Sequence, residues 1–254
     1  MMGTKLKTTS ILGANVSCLD QNSLFEAAFR WSKGSEQRTI LYANAHCLNT
    51  AAEDAEYLQI LNQADILYAD GISVVWASRF LSGAPLKKMT GRAWITAFCR
   101  LAEAEKLRMY ILGSAPGIAQ LAAQKLQGQY PALAIVGSAD GYFKEKSEDQ
   151  ILAEIAARQA QLVFVGMGTP RQEKWLASHR AEIAAPVCWA VGALFDYVAG
   201  IEPVVPQALE RLGCEWLWRL YVNPREKWKR YLIGNPLFIL RIAKQKMYHF
   251  NNQW

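Results

Sequence analysis

The sequence predicts an α/β fold: a Rossmann-like, mostly parallel sheet with helices on both faces, followed by a basic helical C-terminal appendage. Three observations lead there. Six short apolar runs alternate with stretches of helical periodicity, most of those runs end at Gly, Asp or Asn, and positive charge gathers near the C-terminus.

The runs Thr39–Ala43, Asp65–Ala69, Arg108–Leu112, Leu133–Val136, Leu162–Val165 and Val187–Val191 read as strands. Between them, apolar residues three or four apart mark helices at 51–62, 72–82, 92–106, 116–128, 147–159 and 170–181. In the fifth of these, Ile151, Leu152 and Ile155 share a face while Glu148, Glu154 and Arg158 turn to water. Strand alternating with helix implies parallel pairing, and ligands of such sheets sit beyond the carboxyl ends of the strands. The loops there are Asn44–His46, Asp70–Gly71, Gly113–Gly117, Gly137–Tyr142, Gly166–Pro170 and Gly192–Asp196. Gly200, Pro203 and Pro206 punctuate the pattern, so residues 1–200 read as the core and 201–254 as the appendage.

Composition narrows the class. The 254 residues are 52% apolar and 20% charged, which excludes a disordered or collagen-like chain and allows a sizeable core. The mean hydropathy is −0.01, and no run of about 18 apolar residues offers a membrane span. The first residues lack the apolar stretch of a secretory leader, so a cytoplasmic chain is expected. Five cysteines, none spaced C-x-x-C, and three histidines predict neither a disulfide framework nor a zinc site. Of the net charge of +6, residues 211–246 hold nine bases against two acids, leaving the remainder slightly acidic. That end therefore predicts an anionic partner, a phosphate or an acidic membrane surface.

Several loop residues have two readings. Asp70 either works as a base at the rim of the sheet or caps the helix starting near Ile72. Asn44 and Asn49 suit turns and caps; His46 suits a packed imidazole. The loops Gly113–Gly117 and Gly166–Pro170 each follow a strand and open a helix, where free N–H groups can hold phosphate, but neither is a complete dinucleotide or Walker motif. Gln172 can present its amide to whatever the second loop holds, while Glu173 complements the helix dipole. Aromatics interleaved with bases from Glu215 to Leu232 suit a soluble amphipathic helix or an interfacial membrane helix.

In order and spacing, Tyr42–His46, Ala69-Asp-Gly-Ile-Ser-Val-Val75, Thr90-Gly91, Gly137–Phe143, Gly166-Met-Gly-Thr-Pro-Arg-Gln-Glu173, Phe195-Asp196, Ala199-Gly200 and Leu212–Arg219 resemble one family. It is the WecG/TagA/CpsF family of bacterial glycosyltransferases, and the resemblance spans about Ile11 to Leu240. It implies an inverting, metal-independent transfer, without a cofactor, from a UDP-sugar to a saccharide on a polyprenyl diphosphate at the cytoplasmic face of the inner membrane. The transferred sugar is N-acetylmannosamine, its uronic acid or glucose. Asp70 then matches the general base, Asn44 the neighbouring amide and Arg219 an appendage arginine that closes over the site. Gln172 matches a glutamine near the donor phosphates, and Tyr142 and Asp196 lie near the nucleoside. Gly113, Ser114, Gly166 and Gly168 form the loops expected to bind the donor. Ala93, Ala193 and Tyr42 depart from the family pattern, and Ala93 and Tyr42 are expected in loops within reach of sugar.

Single displacement needs a base for the acceptor hydroxyl and a group to hold the departing UDP charge. The chain has no D-x-D, so that charge is expected to fall on loop N–H groups, Gln172 and arginines such as Arg219. A dinucleotide oxidoreductase is the first rival, but Asp140 lies 27 residues beyond Gly113 rather than about 20. A non-catalytic membrane or nucleic-acid adaptor built on the basic tail is the second. No nucleic-acid partner is expected, and self-association through a helical face is left open.

Overall fold

The computed structural model describes residues 6–206, 209 and 212–251, with side chains through Tyr248. A two-stranded hairpin opens the chain, β1 (Thr8–Ile11) against β2 (Ala14–Ser17), followed by α1 (Gln21–Trp31). Leu12 and Gly13 both have positive φ, the twist that a two-residue hairpin demands. These three elements lie outside the predicted pattern; the two strands are four residues each, too short to show a clear alternation.

The predicted strands all form: β3 (Arg38–Ala43), β4 (Ile66–Ala69), β5 (Met109–Gly113), β6 (Ile135–Ala139), β7 (Leu162–Gly166) and β8 (Val187–Ala190). They make one sheet in the order β4-β3-β8-β7-β5-β6, every pairing parallel. Helices α2 (Ala45–Ala51), α3 (Ala55–Gln63), α4 (Ile72–Ser82), α5 (Gly91–Ala104), α6 (Ile118–Gln129), α7 (Glu148–Ala157), α8 (Arg171–Ser178) and α9 (Leu194–Ala199) surround it. The predicted 51–62 helix is two helices, because Asp54 accepts from the Tyr57 N–H and restarts the chain as α3. Residues 137–139, expected in a loop, continue β6 beside β5.

Buried aromatics hold the sheet to its covering helices. Trp94 and Phe98 of α5 lie over Trp189 of β8 and Phe164 of β7, with the Trp94 and Trp189 rings 4.6 Å apart. Such pairs add to the burial of some of the largest side chains in the protein.

The C-terminal segment is helical: α10 (Glu215–Val222), α11 (Pro224–Trp228), a π-helical turn (Lys229–Ile233) and α12 (Gly234–Asn251). It is pinned to the sheet domain by specific polar contacts. Asn49 donates to the Gly234 carbonyl at 2.7 Å, Arg241 donates to the Asn49 carbonyl at 2.8 Å, and Gln245 accepts from Leu12 in the hairpin turn. Phe238 and Ile242 are buried at the same junction. Among the described residues, no helix is long and apolar enough to cross a membrane.

Glycines set how closely the strand ends approach. A Cβ at Gly113 would stand 2.3 Å from the Gly166 carbonyl oxygen, and one at Gly166 would stand 2.6 Å from the Gly192 oxygen. Gly113 also has φ of 152°, where a side chain is strained. Gly113→Ala is expected to destabilise the protein by about 3 kcal/mol or more, lowering Tm by roughly 6–12 °C in a thermal melt.

Candidate active site

Parallel pairing sets Ala43 of β3 opposite Ala69 of β4, so the next residues, Asn44 and Asp70, emerge side by side at the carboxyl edge of the sheet. The Asp70 N–H donates to the Ala43 carbonyl and extends the ladder by one bond. Gly71 follows at φ of 105°, turning the chain sharply into α4. The cap position of α4 belongs to Gly71, with no side-chain cap bond, so Asp70 is not the helix cap. Its carboxyl group instead accepts from Asn44 Nδ2 at 3.2 Å.

Asn44 is held by the helix that follows it. Its Oδ1 accepts the N–H groups of His46 and Cys47, capping α2, and that leaves only the NH₂ to face Asp70. Both readings of Asn44 are therefore met by one side chain.

The two residues line a cavity of about 540 Å³, closed on the far side by the C-terminal segment through Gly213, Glu215, Trp216, Arg219, Arg230 and Tyr231. Burial raises the Asp70 pKa above the ordinary aspartate value, while Arg219, the Asn44 amide and Arg230 pull it down and Glu215 pushes it up. Arg219 lies over the Tyr197 ring of α9 at 5.5 Å and 3.9 Å from Glu215; its Nε is buried without a hydrogen-bond partner. The Arg219 and Arg230 guanidinium groups set positive charge on the wall that faces Asp70. His46 is neutral, since burial and then the cations Arg230 and Lys227 push its pKa down to about 4. Among the bases of the C-terminal segment nothing in the sequence singles out Arg230; only the fold carries it to Asp70. Arg211 lies outside the described residues.

The remaining predicted residues stand further along the same rim and do not line this cavity. Ser114, whose N–H was expected free for phosphate, donates it to the Gly166 oxygen at 2.8 Å. Gly168 turns the chain into α8 at φ of 80°. Asp196, at the start of α9, has its pKa raised by burial, with Ser114 beside it pulling it down. Tyr142 is exposed, with the Arg171 guanidinium 5.1 Å from its ring centroid. Its loop is shaped by Asp140, which accepts from the N–H groups of Tyr142, Lys144 and Glu145 and so serves the loop rather than a ribose.

Gln172, expected near the donor phosphates, is fully buried and its amide is engaged within the fold: Nε2 donates to Tyr42 Oη and Glu173 Oε1, and Oε1 accepts from the Gly192 N–H. Tyr42, expected in a loop, is a buried β3 residue whose hydroxyl meets Thr169. Together these side chains brace the turns after β7 and β8. Ala93 is exposed on α5.

A family model described as Glycosyl transferase WecG/TagA/CpsF family matches residues 9–252. The chain belongs to this family. It is a glycosyltransferase, as the resemblance implied. Relatives from Staphylococcus aureus strains NCTC 8325, COL and MW2, each named N-acetylglucosaminyldiphosphoundecaprenol N-acetyl-beta-D-mannosaminyltransferase, are 29% identical over 209 residues, covering 82% of this chain and 80% of theirs. Among the described residues, no group of three His, Cys, Asp or Glu side chains is placed to hold a metal ion.

Glu173 carries the pH dependence of this support. Its Oε1 accepts from Thr169 and Gln172, its Oε2 is buried without a partner, and burial raises its pKa from 4.5 to about 7. The unfolded chain ionises first, so stability falls as pH rises from 4.5 and levels off above about 7. In urea unfolding across this range, the group is expected to remove about 3 kcal/mol, and Glu173→Gln to abolish that slope.

Proposed function

We propose that this glycosyltransferase moves N-acetylmannosamine from a UDP-sugar to N-acetylglucosamine carried on a polyprenyl diphosphate, with inversion at the sugar and without a metal ion. The observation that carries the reading is the Asp70 carboxyl group, held by Asn44 at the floor of a cavity whose opposite wall supplies Arg219 and Arg230. The names of the relatives support the choice of sugar and acceptor.

In this reading Asp70 takes the proton of the acceptor hydroxyl as that oxygen attacks the anomeric carbon and the bond to UDP breaks. A raised pKa makes the carboxylate a stronger base, and Asn44 keeps it aimed. The negative charge leaving with UDP falls on Arg219 and Arg230, which line the same cavity as Asp70. The nucleoside lies along the rim toward Ser114, Tyr142 and Asp196.

Residues 201–254 then have two tasks, completing the site and meeting the membrane. Tyr221, Trp228, Leu232, Ile233 and Leu240 are exposed among the bases, as suits a peripheral surface on an anionic leaflet. The donor reading is favoured over the dinucleotide rival by the role of Asp140, whose carboxylate is bound within its own loop.

Asp70→Asn is expected to fold normally and to lose roughly 10²- to 10⁴-fold in kcat, read as UDP release with a prenyl-diphosphate-linked N-acetylglucosamine acceptor. The wild-type rate is expected to fall as pH drops through a value above 3.8, because Asp70 must be ionised to act. Unchanged turnover in the variant would remove Asp70 from the mechanism. Turnover is expected to persist in EDTA, and a strict divalent-ion requirement would contradict the assignment of leaving-group charge to arginines.

A further inference from the structure

The cavity that contains Asp70 does not end with the polar groups. Beyond Asn44, Arg219 and Arg230 it continues as a groove between α4 and α12, lined by Trp76, Phe80, Phe238, Ile239 and Ile242. On α4, Ile72, Trp76 and Phe80 are spaced by four residues and form one stripe, about 12 Å long at the helical rise. Trp76 and Phe80 are 57% and 55% exposed, and Ile239 on the facing helix is 66% exposed. Two large aromatics left bare on a helix whose other face is packed into the core are an unfilled apolar surface.

The walls are held in place from outside. Lys246 of α12 donates to the Leu81 carbonyl at the end of α4, and its ammonium group lies 5.8 Å from the Phe80 ring centroid. Phe238 and Ile242 anchor α12 beneath. The groove is therefore a standing feature between two fixed helices, continuous with the base at one end.

Resting on the function proposed above, we infer that this groove holds the first prenyl units of the acceptor lipid. Both walls are helices whose backbone groups are already hydrogen-bonded, and Phe80, Phe238, Ile239 and Ile242 are hydrocarbon, the Trp76 indole N–H being the one polar group among the five groove residues named above. A peptide laid in the groove would leave its own N–H and C=O groups unpaired, whereas a hydrocarbon chain loses nothing there. The gradient from arginines to aromatics also matches an amphiphile with a diphosphate head. With the tail in the groove and the diphosphate at the polar end of the cavity, the attached sugar reaches Asp70. The groove thus selects the acceptor by its lipid and delivers its sugar to the base.

The test uses the full-length protein and two acceptors that share the sugar diphosphate, one on a prenyl chain and one on a short alkyl chain. The preference is the ratio of kcat/KM for the prenyl acceptor to that for the alkyl acceptor. The double variant Phe80→Ser with Ile239→Ser alters exposed positions, so folding should be retained and is checked by thermal melting. Its preference is expected to fall roughly tenfold or more, as for the loss of two apolar contacts; an unchanged preference overturns the inference. A second measurement needs no turnover. A benzophenone-bearing prenyl diphosphate is expected to label peptides of α4 and α12, in competition with plain prenyl diphosphate and less so in the variant. Labelling spread over other helices, or displaced equally by phosphatidylglycerol, overturns it. Failure of the wild type to transfer sugar to either acceptor would instead refute the function, while the labelling still decides the groove.

Discussion

Asn44 has one side-chain oxygen, and the N-terminus of α2 takes it, so the amide NH₂ faces the residue that parallel register sets beside it, Asp70. The rest of the site depends on that constraint. The carboxyl group is neither a cap nor part of an ion pair on its own side of the cavity; it is a partly buried acid with a single amide neighbour. Burial and the amide oppose each other, and burial prevails, leaving a carboxylate that is readily protonated.

Charge balance then comes from the other end of the chain. A buried carboxylate is unfavourable until cations approach, and Arg219 and Arg230 are brought there by a segment fastened to the sheet domain through Lys88 with Glu215 and through Asn49 with Gly234 and Arg241. The same fastening creates the apolar wall opposite α4. One docking event thus brings positive charge to the Asp70 cavity and sets the hydrocarbon surface beside it.

Support from below is polar and buried. Tyr42, Thr169, Gln172 and Glu173 form a connected set whose purpose is to hold the turns after β7 and β8, with the Gly192 N–H as its endpoint. An unpaired Oε2 on Glu173 shows that this set is not fully satisfied, and that is why its energy depends on protonation. The glycines above it serve close approach of strand ends as much as any ligand, since Gly113 and Gly166 have no room for a Cβ.

The sequence by itself determined the alternation of strand and helix, the sheet class, the Asp70-Gly71 turn and the basic aromatic tail. These are local properties: side-chain period, a glycine that frees φ, and charge counted along a segment. It showed less of the hairpin and α2, where elements of four to seven residues carry too little period to be read. Tertiary structure alone decided the hydrogen bond by which Asn44, expected beside Asp70 from the family resemblance, holds that carboxyl group across 26 residues, that Gln172 turns inward to Gly192, that Arg230 joins Arg219, and that α12 forms a wall with α4. Each of these is a contact between segments distant in the chain. Its existence follows from strand register and helix docking, which depend on how whole surfaces fit together and leave no repeat in the residues concerned.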